Sequence, residues 1–385
     1  MATCRYISVS AALIALALAG SASADEALTV EGRVVTGELS GQGQTVSFNS
    51  PGGALSLDDL AQVCIQDSPR AVPLVRGVVT RAGDCLRGAV SAGHGASFAV
   101  ASARLGRVEI PISQISQILF DSRAPLPGDV GVLFRNGDFT TANSITLSGS
   151  VLKLKSSLGD VEVPLERVAA VRIAAAAEPA AVPPAEIRSA EVRSAELRLD
   201  NGDLISGALI AAGGSLKIAA SFGEASVDKK FVCSVDFPAR RRYLSDLHPA
   251  LTTRGFAPSG VEYLFLDAGP SGELRSATRN YLKGIFARAG AAATITLPPG
   301  ARALVFTPEM SEGASPARGR FSVECDGVEV WKASIDSSTA PRQIILDVRG
   351  KKSVALVFET HPQGLIGAAA IWADALVTVP PEGKG

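Results

Sequence analysis

The chain is 385 residues long, 46% hydrophobic and 19% charged, with 37 basic against 38 acidic side chains and a formal net charge of −1. That apolar content is enough to bury a core and 38 glycines supply turns, which excludes a wholly disordered chain. A near-neutral balance without a clustered basic face argues against nucleic acid, because phosphate recognition needs a concentrated positive field.

Residues 1–24 read as an export signal. Arg5 gives a positive start, Ala11–Ala19 is an apolar run too short to span a bilayer, and Ala22-Ser23-Ala24 forms a small-residue cleavage pattern before Asp25. Cleavage leaves a net charge of 36 − 38 = −2, since the signal holds one Arg and no acid. No later segment has the length and apolarity of a membrane span, so a secreted or periplasmic protein is expected. Of the cysteines, Cys64, Cys85, Cys233 and Cys325 remain. An oxidising compartment permits disulfides, but apolar neighbours suit buried free thiols equally. With no C-x-x-C and no His in register, neither a metal nor a cofactor is expected.

Internal repeats occupy residues 25–237. Four turns recur: Glu31-Gly32-Arg33, Ala82-Gly83-Asp84, Asn136-Gly137-Asp138 and Asn201-Gly202-Asp203. Five residues after the turn glycine stand Gly37, Gly88, Ala142 and Gly207, and 21 to 23 residues after it stand Gly53, Gly106, Gly159 and Gly223. From Gly106 the apolar residues are Val108, Ile110, Ile112, Ile115, Ile118 and Phe120. From Gly159 they are Val161, Val163, Leu165, Val168, Val171 and Ile173, step for step. The period of two before Pro111 and Pro164 predicts a strand. The period of three after them predicts one tight turn into a last short strand. Each unit therefore reads as about five short strands curled into a small barrel, loosely similar to an Sm-like barrel, over 26–67, 75–121, 129–174 and 195–237. Residues 175–194 form an Ala/Pro linker with an A-E-x-R-S duplication. Arg240-Arg241-Arg242 reads as a solvated charge run between modules.

The last third, 238–379, predicts a β-sandwich. Its centre is Arg320–Trp331, where Phe321, Val323 and Cys325 alternate with polar residues. Asp326-Gly327 then supplies a two-residue type I′ turn, and Val328 and Val330 continue the alternation to Trp331. Thr294–Leu297, Ala303–Phe306, Gln343–Val348, Val354–Glu359 and Ala369–Val379 are further strands.

Catalytic constellations are missing from the sequence. His94 sits at a Gly-His-Gly loop tip without a partner acid in a matching motif, and His248 and His361 read as structural or solvated. Asp58-Asp59 would point to opposite faces of a strand. No nucleophile elbow, P-loop or dinucleotide fingerprint appears. The expected class is a non-catalytic binding protein.

In order along the chain, Tyr243–Pro249 (Y-L-S-D-L-H-P), Asn280–Ile285 (N-Y-L-K-G-I), Phe321–Trp331, Ile345–Phe358 and Ile371–Leu376 (I-W-A-D-A-L) resemble the NPCBM family of carbohydrate-binding modules over about 243–379. The resemblance implies a jelly-roll sandwich of the galactose-binding-like kind. The whole chain is then all-β, with four tandem barrel-like repeats followed by that sandwich. The chain departs from the family at three places. Arg288 stands where the family has a His after Lys-Gly, Thr307-Pro308-Glu309 replaces an acidic pair, and Ile371 replaces an Asp. Carbohydrate or an envelope polymer is the implied partner, with Arg288, Glu309, Trp372 and Asp374 nearest to it and Tyr281 close by. Arg288 would project from a loop at a sandwich end toward an acidic sugar, or pair with Glu309 in a retired site. The alternative is a structural or protein-interaction module of the cell envelope, with protein partners. Trp331 and Trp372 fit core anchors.

Overall fold

A computed structural model describes residues 24–66, 74–121, 128–156, 159–173, 194–253, 263–270, 273–276, 279–312, 318–360 and 369–380. The predicted export signal and linker, save Ala24 and Ser194, and His361 lie outside the described residues. Among the described residues all regular structure is β-strand or short 3₁₀ turn, so the chain is all-β.

The first repeat folds as Asp25–Thr29, Val34–Gln42, Ser47–Ser50, Gly53–Ser56 and Leu60–Cys64, in the spatial order fifth, first, second, third, fourth. Ser194–Leu199, Leu204–Ala212, Ser215–Ala220, Gly223–Asp228 and Val232–Asp236 adopt the same order. In the two segments between them the second strand is broken: Cys85–Arg87 and Ala89–Ala92, then Phe139–Thr141 and Ser144–Ser148. The breaks fall at the second repeated position, Gly88 and Ala142, where the second strand bends. A Cβ on Gly207 would lie 2.1 Å from the Ala219 carbonyl oxygen, and one on Gly88 2.1 Å from that of Ala101. Only glycine lets the second strand bend this tightly over the third.

Pro111 and Pro164 end the fourth strands Gly106–Pro111 and Gly159–Pro164, and the period of three that follows is a 3₁₀ turn. In these turns Ile115 N–H donates to Ile112 O and Val168 N–H to Leu165 O. The turn rounds the corner into the fifth strand, so five strands wrap one apolar interior that includes Ile110, Ile115 and Ile118.

The exposed edges are covered differently from the closure expected of each repeat alone. Fifth strands pair with one another across repeats: Val63 opposes Val235, and Ile118 opposes Val171. Pairing joins these strands into one 16-stranded sheet and merges their apolar faces into one cluster. A unit of this size is marginal alone, and pairing supplies the burial and the hydrogen bonds that it lacks.

The C-terminal part is a two-sheet sandwich. One sheet orders Leu264–Leu266, Gly284–Arg288, Ala369–Thr378, Ala303–Met310 and Ile344–Asp347. The other orders Ala250–Thr253, Ala291–Thr296, Ser353–Thr360, Arg318–Cys325 and Val328–Asp336. Phe306, Phe321, Phe358 and Trp372 fill the space between them. Asp326 and Gly327 have φ of 50° and 78°, the type I′ pattern expected. The second arm of this hairpin departs from the expected pattern. Val328 and Val330 are 63% and 44% exposed, because a bulge opposite Val323/Glu324 leaves Val330 unopposed and Val328 sits at the hairpin tip.

The arginine run is not a solvated linker. Arg240 and Arg241 are 1% and 3% exposed. Arg240 Nη2 donates to Asp58 Oδ1 at 2.6 Å, and Asp58-Asp59 lies in a 3₁₀ turn rather than a strand. Arg241–Tyr243 pairs with Ala369–Thr378, while the Arg241 side chain reaches back to Asp236 of the last repeat. Apolar contact completes the seam, with Leu28 and Ala61 against Tyr243, Val305 and Leu376. Thr378 Oγ1 also donates to the Val30 carbonyl at 2.6 Å. Charges placed between two modules are buried here because both modules supply their partners.

Candidate functional site

Along this seam lies a cavity of about 490 Å³. The sandwich contributes Arg279, Asn280, Tyr281, Gln343 and Asp374 to its wall, and the first and last repeats contribute Gln62, Cys64 and Arg198. The volume falls in the range of small-molecule sites.

Asp374 is placed by a β-bulge. Val305 opposes Leu376 and Thr307 opposes Ala373, so Asp374 and Ala375 together face Phe306. Asp374 takes φ of 47°, a left-handed conformation that a non-glycine residue adopts at a cost of about 1–2 kcal/mol. Its N–H donates to the Lys283 carbonyl at 3.0 Å. Among the described residues its carboxylate receives no hydrogen bond. Burial pushes that carboxyl up to about 6, a rise that Arg198 and Arg241 reduce and Asp236 adds to. A strained, half-buried acid re-aimed at a cavity is the pattern of a residue kept for binding.

The floor of the cavity is a closed polar network. Asp236 is fully buried and accepts from Arg198 Nε and Gln62 Nε2, each at 2.7 Å, with Arg241 Nη2 at 2.9 Å. Burial opposes its ionisation, but Arg241 and Arg198 hold its carboxyl below the usual carboxylate range. The network fixes Arg198 and Gln62 in the wall. On the other side Tyr281 donates its hydroxyl to Glu309. Burial and this hydrogen bond push the Tyr281 hydroxyl well above its ordinary range. Behind it, Lys283 Nζ donates to Asp246 at 2.6 Å and Asp267 at 2.7 Å, pinning the turn that carries Asn280 and Tyr281.

The four residues expected at a ligand are thus only partly brought together. Asp374 lines the cavity. Glu309, 5% exposed, touches it through Tyr281. Trp372 is fully buried, with its ring centroid 5.3 Å from Phe306 and 5.2 Å from Phe321, a core anchor and not a stacking surface. Arg288 is not in a loop. It ends strand Gly284–Arg288, opposite Ala369, whereas Gly284 opposes Ala373 beside Asp374. Four residues of strand put it roughly 13 Å from the cavity end, and its guanidinium carbon lies 5.9 Å from the Phe286 ring centroid. His94 does have an acid, for its Nδ1 lies 2.7 Å from Glu109 in the facing strand of its own repeat. All four described cysteines are free thiols. Among the described residues no group of three or more His, Cys, Asp or Glu could hold a metal.

Sequence reasoning missed Arg279, Asn280, Gln343 and the wall from the repeats. The first two adjoin the Asn280–Ile285 motif and could have been read from it. Gln62 and Arg198 carry no local signal, since they reach the site only through pairing of distant repeats.

Solved structures with similar chains include the second CBM51 module with the INT domains of Clostridium perfringens ZmpB, in complex with GlcNAc. It has 20% identity and a TM-score of 0.32, with 44% of this chain and 37% of that one covered. The CBM51 of a Clostridium perfringens GH95 protein, in complex with methyl-galactose, has 20% identity and a TM-score of 0.30, with 36% of this chain and 99% of that one covered. The tandem CBM51 modules of a family 98 glycoside hydrolase from Streptococcus pneumoniae have 11% identity and a TM-score of 0.32, with 65% of this chain and 88% of that one covered. The chain therefore spans little more than a third of the first of these, at 37%. No curated protein matches the chain. Residues 240–378, the sandwich with the buried arginine strand that leads into it, match the NPCBM/NEW2 domain family.

Proposed function

We propose that this is an exported, non-catalytic carbohydrate-binding protein whose ligand occupies the cavity carrying Asp374. The bulge that turns an otherwise unbonded carboxylate into a cavity of about 490 Å³ carries the reading. Sugar hydroxyls each donate and accept. Asp374 and the amides of Asn280, Gln62 and Gln343 supply acceptors, while Arg279, Arg198 and the same amides supply donors. Tyr281 gives an apolar wall held in one orientation by Glu309. The family match over 240–378 supports the ligand class. The leader-like first 24 residues support export. On this reading the site is composite: neither module alone builds the wall.

Titration of the whole protein with neutral and uronic oligosaccharides, after a glycan array has chosen them, tests it. Asp374→Asn is expected to weaken binding about tenfold or more, the value of a charge-assisted hydrogen bond. Arg288→Ala should leave it unchanged. No glycan binding, or binding lost with Arg288 and kept without the Asp374 carboxylate, refutes this site.

A further inference from the structure

The Gly-Asp turns of the second, third and fourth repeats do more than reverse the chain, and one of the three is left without the partner that the other two have. Asp84 and Asp203 end equivalent turns in the second and fourth repeats, and each caps the other repeat. Asp84 Oδ1 accepts the Ser206 N–H at 2.6 Å, and Asp203 Oδ1 accepts the Arg87 N–H at 2.6 Å. Ser206 and Arg87 each lie three residues beyond their own aspartate. Between them Cys85 and Leu204, each one residue beyond, oppose one another in antiparallel register. The second carboxylate oxygens are bonded reciprocally too: Asp84 Oδ2 accepts from Ser221 and Asp203 Oδ2 from Ser102, both at 3.0 Å. Asp84 and Asp203 are 0% and 1% exposed as a result. The contact has an approximate two-fold axis through the Cys85/Leu204 pair.

The third repeat presents the same turn to solvent. Asp138 is exposed, and among the described residues its carboxylate meets only the Asn136 amide of its own turn, at 2.6 Å. Its second strand keeps the same register, Thr141 opposing Gly131 as Arg87 opposes Gly77. That register turns the Thr141 N–H outward, as it does the Arg87 N–H. Strand Phe139–Thr141 ends the 16-stranded sheet, with no neighbour on its outer side among the described residues.

We propose that this edge pairs with the same edge of a second copy of the chain, so that the protein forms a two-fold dimer through its third repeat. Because the internal contact is already two-fold, each of its elements has a counterpart when a repeat meets its own copy. Asp138 of each chain accepts the Thr141 N–H of the other, and Phe139, half-buried in one chain, opposes itself across the axis. The geometry is isologous and closes after two chains, which removes the one open edge next to this turn without seeding a filament.

Sedimentation velocity of the full chain over a concentration series tests this. A monomer–dimer equilibrium is expected, weakened at least tenfold by Asp138→Ala, since both symmetric carboxylate bonds are lost. Thr141→Pro, which removes the outward N–H, should act likewise. Asp138 is exposed, so melting of the monomer at low concentration should be unaltered and a folding defect cannot mimic the result. Phe139→Cys should give a disulfide-linked dimer under oxidation that the parent chain, with its own free thiols, does not. A monomer at every concentration, as when another segment of the chain covers the edge, overturns the proposal. So does a dimer indifferent to both Asp138→Ala and Thr141→Pro.

Discussion

Arg241 Nη2 lies 2.9 Å from Asp236 Oδ2, with the two side chains 2% and 0% exposed, and the contact joins the entry strand of the sandwich to the last strand of the repeats. Removing the cation leaves a buried carboxylate with Arg198, Gln62 and the Ser234 hydroxyl. Arg241→Ala is expected to lower stability by about 3–5 kcal/mol, read from urea denaturation at neutral pH. Loss below about 1 kcal/mol would place the pair in solvent.

The same pair makes stability depend on acid. Asp236 has its carboxyl held below the ordinary value in the fold. Its contribution is therefore fully present above the ordinary carboxylate range and is lost as pH falls through that range toward the folded value. Stability curves of the parent and Asp236→Asn should converge at low pH and separate at neutral pH. Parallel curves across this window contradict the ion pair.

Asp374 behaves in the opposite sense. Its carboxyl is raised to about 6 by burial, so its contribution is fully present below the ordinary aspartate value and disappears as pH rises through about 6. Asp374→Asn, which keeps a side chain tolerant of left-handed φ, should be more stable than the parent above pH 6 and lose that advantage in acid. Asp374→Gly loses the same carboxyl and should show the same pH-dependent advantage, with about 1 kcal/mol added by relief of the bulge strain. A gain in stability coupled to lost glycan affinity is the signature of a residue retained for binding. Destabilisation by both variants at neutral pH would mean that the carboxylate is structural.

Two equivalent glycines should differ. Gly137 and Gly202 have φ of 93° and 84°. A Cβ at Gly137 meets nothing within 4 Å, whereas one at Gly202 would lie 2.7 Å from Arg87 Nε. Gly137→Val is expected to cost the φ strain alone, about 1–2 kcal/mol. Gly202→Val should cost more, since it also displaces the Arg87 guanidinium from the Asn201 carbonyl, 3.0 Å away. Equal melting temperatures for the two variants would remove the Arg87 contact from the account.

The fragment 238–379 is expected to fold cooperatively, because both sheets and their shared aromatic core lie within it. It should bind glycans less tightly than the whole chain, since Gln62, Cys64 and Arg198 are absent from its cavity wall. Arg240→Leu should destabilise the full chain, where it takes a buried partner from Asp58, and cost less in the fragment, from which Asp58 is absent. A fragment that melts without cooperativity moves the domain boundary.

Local chemistry made much of the fold legible. The alternation at Phe321, Val323 and Cys325 with Asp326-Gly327 specified a type I′ hairpin, because only positive φ at both turn residues suits the strand twist. The spacing through Pro111 and Pro164 specified strand, 3₁₀ turn, strand, since each step is decided by neighbours a few residues away. The I-W-A-D-A-L motif singled out Asp374, and the fold puts it on the cavity wall. Tertiary structure decided the rest. Arg240 and Arg241 look solvated in sequence and are buried, because Asp58 and Asp236 approach from strands far along the chain. Val330 loses its inward place to a bulge that no alternation pattern encodes. Arg288 and Asp374, both assigned to one site, are held at opposite ends of paired strands by backbone register. The cavity itself exists only where two modules meet, so most of its wall had no signature in any single stretch of sequence.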